Sequence, residues 1–364
     1  MEDEIFLLYY DTVPATVETI DLTRVEHDFR KVYLTDDGQK KLAIKHTSNG
    51  FVDRERIESW TRLIDAYNKL GIYCPRIVPN KNGQLVYHYA ENGRDYWVYA
   101  EEFAKYQTAD QIEEALKKEG KALKAEPHGR PAFYDDLMRS IGKVAAAGFD
   151  FMSTPSAYRL LEPFDPNDKT DEGTECAELF KEFVLKELPQ YTERMEHLMK
   201  LFYANQSAVR EIYYDTLPTS CFQADTNSTN VLLDEDQNFV GLIDFNLSGR
   251  EVNLNYILRA AMWRDFDDRT HQEDSNFCRR IHLYDEELDR LRMENVLRNL
   301  RCAGEFYTYS EKERAAFPVL FRYMNSFWWH TGEEIEREKD DPEKVEKLFD
   351  WLERQMTRDD VRLP

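Results

Sequence analysis

Alternating apolar and polar positions in the first hundred residues predict a small, strand-rich lobe. Phe29 to Leu34 and Lys41 to Lys45 flank the turn sequence Thr-Asp-Asp-Gly, and together they predict a β-hairpin. A second hairpin is predicted with its turn at residues 79–83 and Leu85 to Tyr89 as the returning strand. Asp95 to Ala100 is rich in aromatic residues and predicts a further strand.

Helical periodicity appears once in this region, from Val52 to Leu70, and dominates beyond residue 105. The later predicted helices are Gln111 to Lys124, Phe133 to Phe149, Glu178 to Ala204 with a break at Pro189, Leu254 to Asp267, Asp285 to Ala303, Glu311 to Trp329 and Pro342 to Met356. Strands return only around Cys221 to Asp244. We therefore expect an α+β fold with a β-rich N-terminal lobe, 1–102, a helical C-terminal lobe, 103–364, and a site in the cleft between them.

Composition and charge narrow the classes of function. The 364 residues are 42% apolar and 13% aromatic, which is enough to bury the cores of about two lobes. No apolar run is long enough to cross a membrane, and the acidic N-terminus lacks the features of a signal peptide. The five cysteines form no C-x-x-C pair, so we expect a reducing cytoplasm and no disulfide framework or zinc site.

The net charge of −22 argues against nucleic acid and anionic membranes as partners. It is compatible with a small, cationic substrate. A surface whose acidity serves only solubility explains the same charge and is the preferred reading of it. Oligomeric state stays open at this point.

The segment Cys221 to Arg250 carries the clearest chemical signal. Asp225 and Asn230 are separated by four residues, and Asp244 follows the apolar run 240–243. Asp225 can accept a hydrogen bond from a hydroxyl group and take its proton, while Asn230 and Asp244 offer the oxygen ligands that Mg²⁺ prefers. Each residue alone reads more simply as a turn or loop former. The complete pattern is far rarer and favours phosphoryl transfer.

Lys45 ends the apolar stretch Leu42-Ala43-Ile44, a place from which a lysine can neutralise nucleotide phosphates. Glu58, on the following predicted helix, is the preferred partner that would orient Lys45, and Glu55 is the competing choice. Both glutamates read equally well as exposed helix residues. Glu101 and Phe103 stand where the last strand leaves the small lobe, and the Glu101 carbonyl and Phe103 amide could contact a nucleobase; an ordinary strand end is as good a reading.

These residues, in this order, resemble the aminoglycoside phosphotransferase and choline kinase-like superfamily, which shares the protein-kinase-like bilobal fold. The hallmark His-Gly-Asp, four residues and Asn stands here as Gln223-Ala224-Asp225 and Asn230, and the later Ile-Asp-Phe is Ile243-Asp244-Phe245. The resemblance implies Asp225 as catalytic base, Asn230 and Asp244 as Mg²⁺ ligands, and ATP as phosphoryl donor, with GTP an open alternative. It implies Lys45 as the phosphate-binding lysine with Glu58 as partner.

Three departures mark a divergent branch of this superfamily. Gln223-Ala224 replaces His-Gly, the segment 22–30 that would cover the phosphates has no glycine, and the frequent Asp-Pro-x-x-Asp appears as 253–257, Asn-Leu-Asn-Tyr-Ile. The leading hypothesis is a small-molecule kinase acting on an aminoglycoside or amino-alcohol. A nucleotide-binding pseudoenzyme is the alternative, and a protein kinase ranks last because His-Arg-Asp, Asp-Phe-Gly and Ala-Pro-Glu are missing.

An ammonium-bearing acceptor is expected because the helical lobe is rich in acids and aromatics that could line its site. The candidates are Glu175, Glu178, Trp263, Asp265, Asp267, Asp268, Trp328 and Trp329. Most residues of these types in any such lobe belong to its core or its solvated surface.

Overall fold

The computed structural model describes residues 2–23, 28–125, 130–163, 169–212, 217–262 and 282–364. Three features predicted from the sequence therefore lie wholly or partly outside the described residues. They are the glycine-free segment 22–30 at its centre, the end of the predicted helix Leu254 to Asp267, and the acceptor candidates Trp263, Asp265, Asp267 and Asp268.

An antiparallel sheet forms the N-terminal region, as the hydrophobic pattern predicts. Its elements are α1 (Glu2–Leu7), β1 (Thr16–Asp21), β2 (Phe29–Asp36), β3 (Lys41–Ser48), α2 (Arg54–Lys69), β4 (Ile77–Val78), β5 (Tyr87–Glu91) and β6 (Arg94–Glu102). The strand order is β1-β2-β3-β6-β4, and β5 also pairs with β6. The predicted hairpin of β2 and β3 is confirmed, and the register places Lys45 opposite Val32.

The second predicted hairpin is wrong in its pairing. β5 does not pair with β4, the strand that ends before residue 79. It pairs with β6, with Glu91 opposite Arg94. The turn is Asn92-Gly93, and both residues have positive φ, 53° and 77°. Asn-Gly is the strongest short hairpin signal because a two-residue turn of this kind needs left-handed backbone at both positions. The polar stretch at residues 79–83 forms a loop instead.

The single predicted helix of this region is confirmed as α2. The Asp53 side chain accepts a hydrogen bond from the Arg56 N–H and so caps the helix. Its buried face consists of the residues that the spacing selects, Ile57, Trp60, Leu63, Ile64 and Tyr67. The short helix α1 has no such periodic signal; it packs Phe6 edge-on against Tyr33, with the rings 5.2 Å apart, in a second small core.

Helices dominate the C-terminal region. The elements are β7 (Gln107–Thr108), α3 (Ala109–Lys118), α4 (Tyr134–Ala147), α5 (Glu172–Glu187), α6 (Thr192–Ile212), β8 (Thr219–Phe222), β9 (Val231–Leu233), β10 (Phe239–Leu242), β11 (Gly249–Val252), α7 (Asn253–Met262), α8 (Glu286–Gly304), α9 (Glu311–Met324), α10 (Trp329–Glu338) and α11 (Pro342–Thr357). The predicted break at Pro189 is confirmed, since it starts a short 3-10 turn between α5 and α6.

Two helix predictions need correction. The segment predicted as one helix from Glu311 to Trp329 ends at Met324, and Trp329 instead begins α10. Thr331 accepts a hydrogen bond from the Trp328 N–H, which helps to start the new helix. The helix predicted to reach Lys124 ends at Lys118, and Gly120 follows with a φ of 70°. No helix among the described residues is long and apolar enough to cross a membrane.

Main-chain hydrogen bonds join the strand-rich region to the helical region. The Tyr73 N–H, just after α2, donates to the Val240 carbonyl of β10, and the Leu242 N–H donates to the Tyr73 carbonyl. The approach is so close that a Cβ atom on Gly241 would lie 1.8 Å from the Tyr73 carbonyl oxygen. Glycine is therefore required at position 241, and this contact fixes β10 and the Asp244 loop against the N-terminal region.

Candidate active site

Asp225 lies in the loop between β8 and β9, where hydrogen bonds from a main-chain and a side-chain donor hold its carboxylate in place. Asn230 Nδ2 donates to Asp225 Oδ2 at 2.9 Å, and the Asn227 N–H donates to Asp225 Oδ1 at 3.2 Å. Burial, with a smaller contribution from the nearby Asp244, raises the pKa of Asp225 to about 6, although the hydrogen bond from the Asn227 N–H acts in the opposite direction. A carboxylate with this pKa is ionised at neutral pH and is a stronger base than an exposed aspartate.

Gln223 ties the Asp225 loop to the Asp244 loop. Its carboxamide oxygen accepts a hydrogen bond from the Asp225 N–H at 2.8 Å, and its Nε2 donates to the carbonyls of Ile243 and Asp244 at 2.8 and 2.7 Å. The side chain is fully buried. From α2, the Tyr67 hydroxyl accepts a hydrogen bond from the Gln223 N–H. Although Gln223-Ala224 stands where the superfamily motif has His-Gly, the Gln223 side chain therefore links the two loops.

Two non-glycine residues of the site adopt left-handed backbone. Ala224 has a φ of 77° and Asp244 a φ of 58°. Such a conformation costs roughly 1–2 kcal/mol for a residue with a Cβ atom, so the surrounding hydrogen bonds must hold it. Position 224 is where the superfamily motif has glycine, and the backbone keeps the glycine-like shape with alanine in its place.

Lys45 reaches the Asp244 loop from β3. Its Nζ atom lies 3.0 Å from Asp244 Oδ1 and 3.0 Å from Glu101 Oε1. The register explains the second contact, because Glu101 pairs with Ala43 and therefore lies diagonally beside Lys45 on one face of the sheet. Burial alone would lower the pKa of Lys45, but the two carboxylates outweigh it and the pKa is raised well above its usual value.

The structure does not bring Glu58 to Lys45. Glu58 is exposed on α2, and the ion pairs that Lys45 makes with described residues are those with Glu101 and Asp244. Glu58 lies beside Ile57, but consecutive helix positions face about 100° apart, and it is Ile57 that faces the core. Glu55, the competing residue, is exposed as well, and the Ser153 hydroxyl donates to it at 3.4 Å.

At the strand end, the main-chain N–H expected to contact a nucleobase is engaged within the sheet. The Phe103 N–H donates to the Lys41 carbonyl at 3.3 Å, so the β3–β6 ladder continues through it. Its side chain is 44% exposed. The Glu101 side chain is buried and points to Lys45, and burial raises the pKa of its carboxyl against the influence of that lysine.

The site residues fit a hard divalent cation. Asn230 donates through Nδ2 to Asp225, and its carboxamide oxygen receives no hydrogen bond from the described residues. Asp244 pairs with Lys45 through Oδ1 and is partly exposed. One neutral and one anionic oxygen is a donor set that suits Mg²⁺, which completes its octahedron with water and phosphate oxygens.

Two adjoining cavities open beside Asp225. The smaller one has a volume of about 250 Å³, partly open to solvent, and is lined by Tyr158, Ala224, Asp225, Thr226, Tyr256, Arg259 and Ala260. The larger one encloses about 420 Å³, partly open to solvent, and shares Tyr158 and Arg259 with it. Trp328 of the expected acceptor candidates lines the larger cavity, and Trp329 donates through Nε1 to Glu172, which also lines it. Glu178 instead pairs with Lys181, and Glu175 lines neither cavity.

The residues that sequence reasoning missed are Gln223 as a link between loops, Glu101 as the side-chain partner of Lys45, and Tyr158, Glu172 and Arg259 in the cavities. A signal existed for Glu101, since the pairing of β3 and β6 implies it. Arg259 belongs to a helix that is largely buried, and nothing in its spacing distinguishes it from a residue paired in the core.

Comparison with known proteins is consistent with this geometry. The model of the phosphotransferase enzyme family matches residues 21–251. The fold is similar to an aminopropanol kinase associated with a microcompartment, with a TM-score of 0.51 at 13% identity, covering 98% of this chain and 94% of that one. It is also similar to an amicoumacin kinase solved with AMP-PNP, Ca²⁺ and its antibiotic, with a TM-score of 0.54 at 12% identity, covering 97% and 91%. No curated protein matches the chain by sequence.

The family match spans well over half of the chain and includes Lys45, Asp225, Asn230 and Asp244. The structure adds the strand-rich region, the helical region and the two loops held together beside Lys45. The chain belongs to the phosphotransferase enzyme family, within the aminoglycoside phosphotransferase and choline kinase-like superfamily.

Proposed function

We propose that this protein is an ATP-dependent kinase that transfers the γ-phosphoryl group to a hydroxyl group of a small molecule. The observation that carries the proposal is the link that Gln223 makes between the Asp225 loop and the Asp244 loop. Asn230 contacts Asp225 on the first loop, and Lys45 contacts Asp244 on the second. Phosphoryl transfer depends mainly on positioning and charge stabilisation, and this arrangement supplies both.

Asp225 is the proposed catalytic base. It accepts the hydrogen bond of the acceptor hydroxyl, and takes its proton as the new P–O bond forms and the bond to the leaving ADP breaks. Lys45 is proposed to contact the nucleotide phosphates. Asn230 and Asp244 are proposed to hold Mg²⁺, which supplies positive charge to the phosphate oxygens when bound.

The nucleobase is proposed to lie at the strand end formed by Glu101 and Phe103, which also marks the proposed lobe boundary at residues 102 and 103. Main-chain groups there would contact its edge. The Phe103 N–H can do so only by exchanging its 3.3 Å bond to Lys41. ATP is the proposed donor, and the same contacts leave GTP as a comparison to be made.

The acceptor is proposed to be an amino-alcohol or an aminosugar bound in the cavities beside Asp225. Tyr158 and Trp328 give these cavities aromatic walls, and Glu172 gives them an acid that can meet an ammonium group. The two similar kinases act on aminopropanol and amicoumacin by name, which supports an acceptor of this general kind.

The test is ATP consumption by the purified protein with Mg²⁺ across amino-alcohols, aminoglycosides, choline, homoserine and sugars, beside Asp225→Asn. Acceptor-dependent turnover that falls by at least ~10²-fold in Asp225→Asn is expected, because a positioned base contributes about that much. Asp236→Asn is the matched control: this aspartate is exposed in the turn of the β9–β10 hairpin. Nucleotide binding without turnover of any acceptor would instead indicate a pseudoenzyme.

A further inference from the structure

Arg259 is a buried cation at the junction of the two cavities. It lies on α7, its residue is 8% exposed, and it lines both the cavity that contains Asp225 and the larger one beyond. Its guanidinium carbon lies 4.2 Å from the centre of the Tyr158 ring and 5.2 Å from that of Trp328. Both rings are close enough to make cation–π contacts with the guanidinium group.

The hydrogen-bonding capacity of Arg259 is largely unused. A guanidinium group has five N–H donors. Toward the described residues Arg259 makes one hydrogen bond, from Nη2 to Glu172 Oε2 at 3.0 Å, and its buried Nε has no partner. Half-buried Arg139, by contrast, uses all three of its guanidinium nitrogens on Glu305 and Asp136. Buried donors normally find acceptors, so Arg259 is short of one or more.

A purely structural arginine is the competing explanation. Arg130 shows what that looks like: it is fully buried, has unpaired nitrogens, pairs with Asp135, and lines neither cavity. Arg259 differs because it lines two adjoining cavities, and the smaller of them also contains the proposed base. The two groups are close enough that Arg259 favours the ionised form of Asp225. Arg259 therefore has unused N–H donors and lines the cavities beside Asp225. Such donors suit a ligand that carries hydrogen-bond acceptor oxygens.

We propose that Arg259 binds an anionic oxygen group, a carboxylate or a phosphate monoester, on the acceptor whose hydroxyl lies at Asp225. This specificity rests on the proposed function. Glu172 neutralises Arg259 in part and is itself 29% exposed in its side chain, so it can meet an ammonium group on the same molecule. The proposed acceptor is therefore narrowed from amino-alcohols in general to compounds that carry both a hydroxyl and an anionic group. Hydroxy amino acids are the simplest examples.

The test compares acceptors that differ only by the anion. Each amino-alcohol is paired with its carboxylated twin: ethanolamine with serine, 1-aminopropan-2-ol with threonine, and 3-aminopropan-1-ol with homoserine. Glycerol, glycerate and glycerol 3-phosphate distinguish a carboxylate from a phosphate. Binding is measured by calorimetry without nucleotide, and kcat/KM is measured with ATP and Mg²⁺. We expect an anionic member to bind about 10- to 100-fold more tightly than its twin, the usual effect of a hydrogen bond to a charged group.

Arg259→Gln should reduce this preference to within about threefold, while Arg259→Lys, which keeps the charge but not the fork, should retain part of it. Arg139→Gln is the matched control, because Arg139 lines neither cavity and is hydrogen-bonded to Glu305 and Asp136, and the preference should survive in it. Circular dichroism establishes whether each variant is folded. If Arg259→Gln does not fold, the comparison is made with Arg259→Lys instead.

Equal binding of the twins by the unchanged protein, a preference that persists in Arg259→Gln, or no binding of any anionic probe would each overturn the proposal. Failure of the proposed function looks different. In that case the anionic probes bind with dependence on Arg259, but no acceptor supports ATP turnover that Asp225→Asn abolishes.

Discussion

The Lys45 ammonium group lies between two carboxylates that come from distant parts of the chain. Glu101 is on the neighbouring strand β6, and Asp244 is on the loop after β10. Glu101 is 7% exposed, so its charge has little solvent to stabilise it and depends on Lys45. If Asp244 binds Mg²⁺ as proposed, Glu101 is the carboxylate that would remain beside Lys45. At the scale of the residue, we therefore expect Glu101, rather than Glu58, to be the carboxylate that positions Lys45.

Glu101→Gln should weaken nucleotide binding while Glu58→Gln should not. The glutamine keeps the size of the side chain but removes the charge that positions Lys45, so we expect the Kd for AMP-PNP with Mg²⁺ to rise about tenfold, as for a lost charged hydrogen bond. Glu58→Gln alters an exposed residue and should change the Kd by less than about twofold. Calorimetric titration of both variants measures this. Comparable weakening in the two variants would return Glu58 to its expected role.

The bridge between Tyr73 and β10 is the element that fixes the strand-rich region to the loop carrying Asp244. Two main-chain hydrogen bonds run through it in opposite directions, to Val240 and from Leu242. Because the two backbones touch at Gly241, no side chain separates the elements, and the position of Asp244 relative to β3 follows from the contact. Because Tyr73 follows α2 closely in the chain, the bridge fixes the proposed metal site relative to α2.

Gly241→Ala should destabilise the protein strongly. The new Cβ atom would lie 1.8 Å from the Tyr73 carbonyl oxygen, so the bridge must open or shift, at a cost of about 2 kcal/mol or more. Gly332→Ala is the matched control, since Gly332 lies inside α10 with open space around its Cβ position, and alanine there should leave stability unchanged or raise it by about 0.5–1 kcal/mol. Urea unfolding of both variants tests this, and equal stability of the two would contradict the role of the bridge.

Across the whole molecule, acidity opposes the ligand that the site is proposed to bind. The net charge is −22, and a nucleotide with Mg²⁺ is also negative, so the summed field repels it before Lys45 can attract it. Salt screens such repulsion over about 8 Å at physiological ionic strength. Affinity for the nucleotide therefore depends on a few buried contacts working against the field of the surface.

Nucleotide association should accelerate as salt is added. Raising the ionic strength from about 10 mM to about 150 mM should increase the association rate constant of a fluorescent ATP analogue by roughly two- to fivefold, because screening removes repulsion at long range. Stopped-flow fluorescence measures the rate, and an uncharged adenosine analogue should show no such change. A rate that falls with salt would show that positive charge near Lys45 dominates the approach.

The sequence allowed prediction of what depends on local pattern. The strands, most helices and the order of Lys45, Asp225, Asn230 and Asp244 follow from periodicity and motif, and the structure brings Asp225 to Asn230 and Lys45 to Asp244. The partner of Lys45 depends on strand register, and the place of Arg259 depends on how α7 packs beside the cavities. Such long-range geometry is set by tertiary packing, which leaves no spacing rule in one chain.

The link that Gln223 makes between the two loops has no ionisable group. A histidine at this position would have an ordinary pKa of about 6.5, and its hydrogen bonds would change between acidic and neutral solution. The carboxamide makes its three bonds in the same way at any pH at which the protein is folded. Gln223 therefore adds no pH dependence of its own to the turnover that is proposed for Asp225.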